Sequence, residues 1–222
     1  ENVSLVPAAV NTLIMTVLSL AIAIPFGLFT AVYLVEYAKR GNRFVELIRL
    51  TAETLSGIPS IVYGLFGLLF FVTYLGWGYS LIAGAATLSI MILPLIMRTT
   101  EEALKSVPDT YREASFGLGA GRLRTIFRIV LPAAVPGILA GVILAVGRIV
   151  GETAALIYTA GTVAQMPESI MSSGRTLALH MYTLSSEGLH TNEAYATAVV
   201  LLLLVLGINT VSAMIAKRVT KI

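Results

Sequence analysis

The chain has 222 residues, of which 57% are hydrophobic and only 12% are charged. Soluble domains carry about 25% charged residues, so this composition excludes a soluble globular protein and indicates an integral membrane protein. The net charge of +3 is expected to set membrane topology rather than to bind nucleic acid. The absence of cysteine excludes disulfides and thiolate metal sites.

Several apolar stretches approach the ~20 residues that a helix needs to cross a bilayer. They predict an all-α fold, a polytopic transmembrane helix bundle in a single domain. The predicted spans cover residues 9–35, 58–75, 81–97, 132–158 and 195–216, and a polar loop covers residues 98–131. Pro25 predicts an ordinary kink in the first span. Pro59 either starts the second span or marks a backbone break that lines a transport pathway.

Basic residues predict the topology. If five spans alternate, the first loop, the 98–131 loop and the C-terminus lie on one side of the membrane. These segments carry Lys39, Arg40, Arg43, Arg49, Arg98, Lys105, Arg112, Arg122, Arg124, Arg128, Lys217, Arg218 and Lys221. The other side carries only Arg175. The positive-inside rule places the C-terminus in the cytoplasm. We expect an upstream helix, missing here, to carry Glu1 across.

The 98–131 loop predicts a helix–turn–helix on the cytoplasmic surface. Pro108 suits a first helical residue with Ser106 near its cap, and a glycine cluster at 117–121 would end that helix near Phe116. A second helix, about 122–130, would lead to Pro132. An apolar face is predicted from Leu104, Val107, Tyr111, Ala114 and Leu118. Periodicity alone favours a helix that covers its own transmembrane ends over a docking helix.

One spacing in this loop carries a resemblance. Glu113-Ala114-Ser115 is followed by three residues, Gly119, nine residues and Ile129-Val130-Leu131-Pro132. This run resembles the EAA loop of bacterial ABC-importer permeases at every spacing, with Ser115 in place of the second alanine. The resemblance implies a MetI-like permease in the prokaryotic plasma (inner) membrane. A separate ATPase would press on the helix at Tyr111, Glu113 and Ala114, with Gly119 as a hinge.

The chain itself lacks the Gly-x-x-x-x-Gly-Lys-Ser/Thr run of a nucleotide-binding P-loop. We therefore expect a transport subunit that is not an enzyme and holds no cofactor. If ATP drives transport, a partner subunit binds it.

The fourth predicted span contains two charges, Arg148 and Glu152, which a continuous helix would place on one face. Each charge costs roughly 2.5–3.5 kcal/mol at the bilayer centre. A structural ion pair is one explanation. The other is that Arg148 contacts an anion crossing the membrane, since its planar fork fits oxyanions. Glu152 would then orient Arg148, give it a partner while the pathway is empty, or accept a hydrogen bond from a protonated oxyanion, and Thr153 would add a hydroxyl donor.

The same span contains glycines at two helix-packing spacings, Gly137–Gly141 and Gly147–Gly151. Such spacings let another helix approach closely. We therefore expect this face to lie inside a bundle, against a cavity or a partner helix.

A second resemblance concerns the cargo. The run from Gly151 to Leu156 is similar to the Gly-Glu-Thr-Ala-Pro-Leu segment of phosphate-importer permeases, with Ala155 in place of the usual proline. We expect a straighter helix there. Residues 57–64 resemble the Gly-Ile-Pro-Ser-x-x-Tyr-Gly run of those permeases, and the chain looks more like their PstA type than their PstC type. The resemblance implies a PstC-like second permease, a PstB-like ATPase dimer and an extracytoplasmic phosphate-binding protein.

Other functions stay open at this point. The same machine could carry molybdate, sulfate or an amino acid. A secondary transporter could use Arg148 and Glu152 as a proton relay without an ATPase. In the outer loop, residues 176–184 predict a lid on the bundle, with docking of a binding protein as the alternative, and we interpret His180 as an interfacial residue rather than a ligand.

Overall fold

The computed structural model describes residues 4–39, 41–188 and 190–220, and these ranges are helical with no strand. Two helices, Leu5–Val32 and Ser60–Gly67, continue into the π-helical turns Tyr33–Tyr37 and Leu68–Tyr74. A third π-helical turn, Ile126–Val130, joins the helices Arg122–Thr125 and Leu131–Val150. The helices are α1 (Leu5–Val32), α2 (Arg43–Ser56), α3 (Ser60–Gly67), α4 (Leu81–Ser106), α5 (Asp109–Gly117), α6 (Arg122–Thr125), α7 (Leu131–Val150), α8 (Ala154–Ile157), α9 (Leu177–Glu187) and α10 (Thr191–Thr220).

Within the described ranges, four helical stretches are long and apolar enough to cross a membrane. They are Leu5–Tyr37, Leu81–Ser106, Arg122–Val150 and Thr191–Met214. A fifth span is formed if α2 and the helix Ser60–Tyr74, which meet at a bend of 102°, count as one. The second predicted span therefore begins only after Pro59, at the bend. Predictions on Glu1, Arg40 and Lys221 fall outside the described residues, as do the side chains of Lys217 and Arg218.

Two predicted boundaries of the polar loop were wrong. Helix α4 continues to Ser106, so residues 98–106 are helix rather than loop. The Ser106 hydroxyl donates to the carbonyl of Ala103 at 2.8 Å and does not cap the next helix. Val107 is extended, as the residue before a proline prefers to be, and α5 begins at Asp109 after Pro108.

No helix break precedes Pro132, so the second predicted helix of the loop, about 122–130, runs on into the fourth span. Proline lacks the N–H that an α-helix needs and its ring crowds the preceding turn. The π-helical turn Ile126–Val130 widens that stretch, and the Leu131 N–H bonds the carbonyl of Ile126, five residues back. The chain from Arg122 to Val150 therefore runs on as one helical stretch.

Helix α4 forms the centre of the bundle and packs against α1 and α7. In its most apolar stretch 72% of residues are buried, against 6% in α10, which lies at the periphery. The fully buried core includes Met15, Leu88, Ile92, Ile149 and Leu156. Burial of each such side chain contributes roughly 1.5–3 kcal/mol in water, although within a bilayer close packing rather than water exclusion holds helices together.

At the end of the bundle away from α5, helix α9 lies against α1 and α10. Leu177 and Leu179 are fully buried, and the Leu177 N–H donates to the Thr12 hydroxyl at 2.9 Å. His180 is also fully buried inside the protein. Helix α9 thus covers one end of the bundle as a packed lid.

Candidate anion pathway and coupling surface

The fourth span ends at a backbone break and does not continue to residue 158 as predicted. Gly151 follows the last residue of α7, and α8 begins three residues later at Ala154. The Glu152 carboxylate accepts the N–H groups of Thr153 at 3.2 Å and Ala155 at 3.1 Å. It thereby replaces the carbonyl acceptors of a continuous helix. The expected straighter helix was wrong because Gly151 leaves the helix and Glu152 caps the next turn.

The break separates the two predicted intramembrane charges. Arg148 lies in the last turn of α7, whereas Glu152 lies beyond its end. Among the described residues, Arg148 has no ion-pair partner within 4.0 Å and no hydrogen bond. The predicted single helical face for Arg148 and Glu152 was therefore wrong, and no ion pair joins them.

Arg148 lines a cavity of about 400 Å³ that we call the basic cavity. The cavity follows α4 from Pro94 to Lys105, roughly 16 Å along the helix axis. Arg148 thus communicates with the end of the bundle that carries α5. Charged residues line most of it: Arg49, Arg98, Lys105 and Arg148, with Glu53, Glu101 and Glu102.

The cations of the basic cavity are not equally engaged. Glu101 is buried and forms ion pairs with Arg49 at 2.6 Å and with Lys105 at 2.7 Å. Arg98 is exposed and lies 3.9 Å from Glu102, at the limit of an ion pair. Arg148 is the cation of this cavity that has no ion pair among the described residues, and its guanidinium remains open to a ligand.

Tyr63 bonds across the bend between α2 and α3. Its ring is buried and its hydroxyl donates to the carbonyl of Leu55 at 2.7 Å. Tyr63 belongs to the 57–64 motif, but the sequence predicted no role for it, because a linear pattern does not show that the chain bends back towards Leu55.

The two segments that carry the second resemblance pack on each other. A Cβ atom at Gly64 would lie 2.8 Å from the Cα of Ala155 and 3.1 Å from its carbonyl oxygen. Real Cβ atoms do not approach a backbone this closely, so α3 and α8 can touch only through a glycine. The bend before α3 and the break after α7 therefore form one contact, beside Arg148.

Thr153 lines a different cavity from Arg148. This second cavity, of about 570 Å³, lies between α3, α8, α9 and α10. Its hydroxyl groups include those of Tyr158, Tyr182 and Tyr195, and we call it the tyrosine cavity. The structure does not bring Arg148, Glu152 and Thr153 together around one ligand. Arg148 lines the basic cavity, Glu152 caps α8 and Thr153 lines the tyrosine cavity.

The four predicted packing glycines divide into two pairs. A Cβ at Gly137 would lie 2.7 Å from that of Ala103, and one at Gly141 would collide with Thr99. This pair lies against α4. No described atom from another helix lies within 4 Å of a Cβ at Gly147 or Gly151, so within this chain these two pack against nothing.

The predicted coupling residues lie together on an exposed surface. Tyr111, Glu113, Ala114 and Gly119 are all exposed on α5 and the turn that follows it. Large apolar side chains accompany them, with Phe116 exposed to 47% and Leu118 to 89%. We call this the coupling surface.

The predicted apolar face of this loop was wrong in part. Leu104 and Val107 are buried in the core, whereas Tyr111 and Leu118 are exposed. The five residues occupy two elements on either side of Pro108 and therefore do not share one face.

Comparisons with known proteins agree with this architecture. A family described as binding-protein-dependent transport system inner membrane component matches residues 23–221. The chain is 39% identical over 192 residues to the probable ABC transporter permease protein YqgI of Bacillus subtilis, covering 81% of this chain and 65% of that protein. It is 37% identical over 211 residues to the phosphate transport system permease protein PstA 1 of Mycobacterium tuberculosis, covering 94% and 68%.

Among solved structures, inward-facing MetNI methionine ABC transporter matches with a TM-score of 0.79. The match covers 97% of this chain and 95% of that one at 24% identity, which shows the fold alone. The chain spans about two thirds of the length of the two curated relatives.

Proposed function

Because this chain belongs to the family of binding-protein-dependent transport system inner membrane components, we propose that it is the permease subunit of an ATP-driven importer for inorganic phosphate. The chain is a multi-pass protein of the inner membrane, and its predicted permease fold is confirmed. We propose further that the end carrying α5 and the C-terminus faces the cytoplasm, because the basic loops lie there.

Arg148 is the observation that carries the phosphate proposal. It is a cation that lines the basic cavity and has no ion-pair partner among the described residues. Guanidinium keeps its charge and offers a planar set of donors that fits an oxyanion with two bonds. The cavity has room for phosphate and several waters, since each water takes about 30 Å³ in the liquid.

The acidic residues of the same cavity favour phosphate over sulfate or molybdate. Glu53 and Glu102 line it beside Arg148. A carboxylate accepts hydrogen bonds but repels an anion that has no proton to offer. Phosphate near neutral pH retains at least one O–H and can donate to a carboxylate, whereas sulfate and molybdate cannot. The name of the 37% identical M. tuberculosis relative supports the same cargo.

The coupling surface supports an external energy source. It presents exposed apolar and acidic side chains outside the predicted membrane spans. We propose that an ATPase dimer docks there, that a second permease subunit completes the pathway and that an extracytoplasmic binding protein delivers phosphate. A proton relay through Arg148 and Glu152 lacks support, because Glu152 is engaged as the cap of α8.

Reconstitution with the partner subunits tests this function. We expect ATP-dependent accumulation of radiolabelled phosphate in proteoliposomes, little competition from sulfate or molybdate, and none of this uptake when the ATPase is omitted. Arg148→Lys keeps the charge but loses the fork, so it should retain a fraction of uptake that Arg148→Gln loses. Equal competition by sulfate would overturn the cargo, and uptake driven by a proton gradient alone would overturn the mechanism.

A further inference from the structure

Helix α5 is tied to the membrane spans by polar side chains on its buried side. Its exposed side forms the coupling surface, and its buried side carries Arg112 and Ser115. Arg112 contacts the end of the first span and the end of α4, and Ser115 contacts the start of the stretch that leads into α7. How α5 is attached decides which spans a force on it would move.

Arg112 joins three helices through one guanidinium. Its Nη2 group donates to Glu36 at 2.7 Å and to the carbonyl of Leu104 at 3.0 Å. Its Nη1 group donates to the carbonyl of Val107 at 2.8 Å and to Asp109 at 3.1 Å, and its Nε donates to Glu36 at 3.2 Å. All five N–H groups are therefore used. Only 14% of the Arg112 side chain and 8% of the Glu36 side chain are exposed.

Ser115 makes the second attachment. Its hydroxyl lies 2.8 Å from that of Thr125, and both side chains are buried. Thr125 is the last residue of α6 and is followed at once by the π-helical turn that leads into α7. Ser115 is also the residue at which the loop departs from the Glu-Ala-Ala pattern, so the departure supplies a hydrogen bond that alanine cannot make.

Both attachments end at π-helical turns. Glu36 lies inside the turn Tyr33–Tyr37, and Thr125 lies directly before Ile126–Val130. A π-helical turn contains one residue more than an α-helical turn and marks places where a helix can bend. The helical stretch that begins at α6 also carries Arg148, roughly 35 Å further along its axis.

We propose that α5 drives two membrane spans through two side-chain clamps, which rests on the proposed coupling of this chain to an ATPase. The Arg112–Glu36 clamp moves α1, and the Ser115–Thr125 clamp moves α7 with Arg148. The π-helical turns are the points at which these spans bend. Arg112, Glu36, Ser115 and Thr125 are positioning residues, because none of them touches the cargo.

A matched pair of variants tests the first clamp. Glu36→Gln and Asp109→Asn each neutralise one carboxylate that Arg112 contacts. Only Glu36 belongs to another helix, whereas Asp109 lies on α5 itself and is 87% exposed. We expect Glu36→Gln to lower phosphate uptake per ATP hydrolysed about 10-fold, in the range of measured coupling energies. Asp109→Asn should behave as wild type.

A second readout does not depend on the cargo. The chain has no cysteine, so spin labels at Val17→Cys in α1 and Leu144→Cys in α7, both exposed, report one distance between the driven spans. ATP should change this distance in wild type and in Asp109→Asn, and much less in Glu36→Gln. If wild type shows the change but takes up no phosphate, the cargo proposal fails and the clamps stand.

The clamp proposal is overturned if Glu36→Gln and Asp109→Asn have the same uptake per ATP, or if uptake and hydrolysis fall in proportion. Should Glu36→Gln fail to assemble, Ser115→Ala and Thr125→Val carry the test, because each removes one hydroxyl with little change in volume. Each should lower phosphate uptake per ATP hydrolysed about 3-fold, and the double variant should lower it no further than either single variant. Multiplied effects in the double variant would show that the two hydroxyls act independently.

Discussion

Two arginines of this chain show opposite solutions to the problem of a cation near a membrane. Arg112, on α5, has every N–H group bonded and holds three helices together. Arg148, in the last turn of α7, lines a cavity and has no ion pair or hydrogen bond to the described residues. A saturated guanidinium adds rigidity, whereas an unsaturated one keeps its donors for a ligand. Stability and transport should therefore separate between the two positions.

The largest effect is expected on stability, at Arg112. Arg112→Gln leaves the Glu36 carboxylate buried without its cation, which costs about 3–5 kcal/mol of folding free energy. Thermal unfolding of the purified subunit should show a lower midpoint. Adding Glu36→Gln should recover much of the loss, since no uncompensated charge then remains. An unchanged unfolding midpoint in Arg112→Gln would show that the hydrogen bonds of Arg112 do not stabilise the subunit.

At Arg148 the effect should fall on transport instead. Arg148→Gln removes charge-assisted bonds to the anion, each worth about 1.5–3 kcal/mol, so we expect uptake to fall roughly 100-fold. The unfolding midpoint should stay the same, because Arg148 makes no ion pair with the described residues that the substitution could break. A marked drop in stability would mean that Arg148 is a structural residue, and the comparison between the two arginines would break.

The contact beside Arg148 offers a sharper test of that region. Gly64→Ala forces α3 away from α8, and overpacking of this kind costs about 1–3 kcal/mol. Gly207 in α10 has no described atom within 4 Å of its Cβ position, so Gly207→Ala is the matched control. Phosphate uptake and the unfolding midpoint should fall in the first variant only. If the two alanine variants have the same phosphate uptake and the same unfolding midpoint, the α3–α8 contact has no role in transport.

The coupling surface should show the smallest effect, confined to the use of ATP. Gly119 has a φ of +82°, which costs an L side chain about 1–2 kcal/mol, so Gly119→Val should lower uptake per ATP hydrolysed roughly 5- to 30-fold. Gly121 has a φ of −73°, which valine adopts without strain, so Gly121→Val is the matched control. Coupled transport that survives in Gly119→Val would leave the turn without a role in the ATPase contact.

Hydropathy alone indicated the membrane class and the helical bundle, and the resemblance to the EAA loop implied the permease fold and the coupling loop. The spans are long apolar runs, and the loop depends on residues within about twenty positions of one another, so a linear pattern contains both. The same patterns misplaced local boundaries. Helix α4 continues to Ser106, beyond the predicted end of the third span, and Arg148 and Glu152 do not share a face because α7 ends at Val150.

Tertiary structure decided which charges are used and which stay free. Glu36 and Arg112 are 76 residues apart, and no periodicity links the end of the first span to a helix of the 98–131 loop. The open guanidinium of Arg148 likewise depends on where α4, α2 and the bend before α3 leave space. Helix-forming tendency and hydrophobicity act over one or two turns of the chain, whereas an ion pair or a cavity exists only once distant helices have packed.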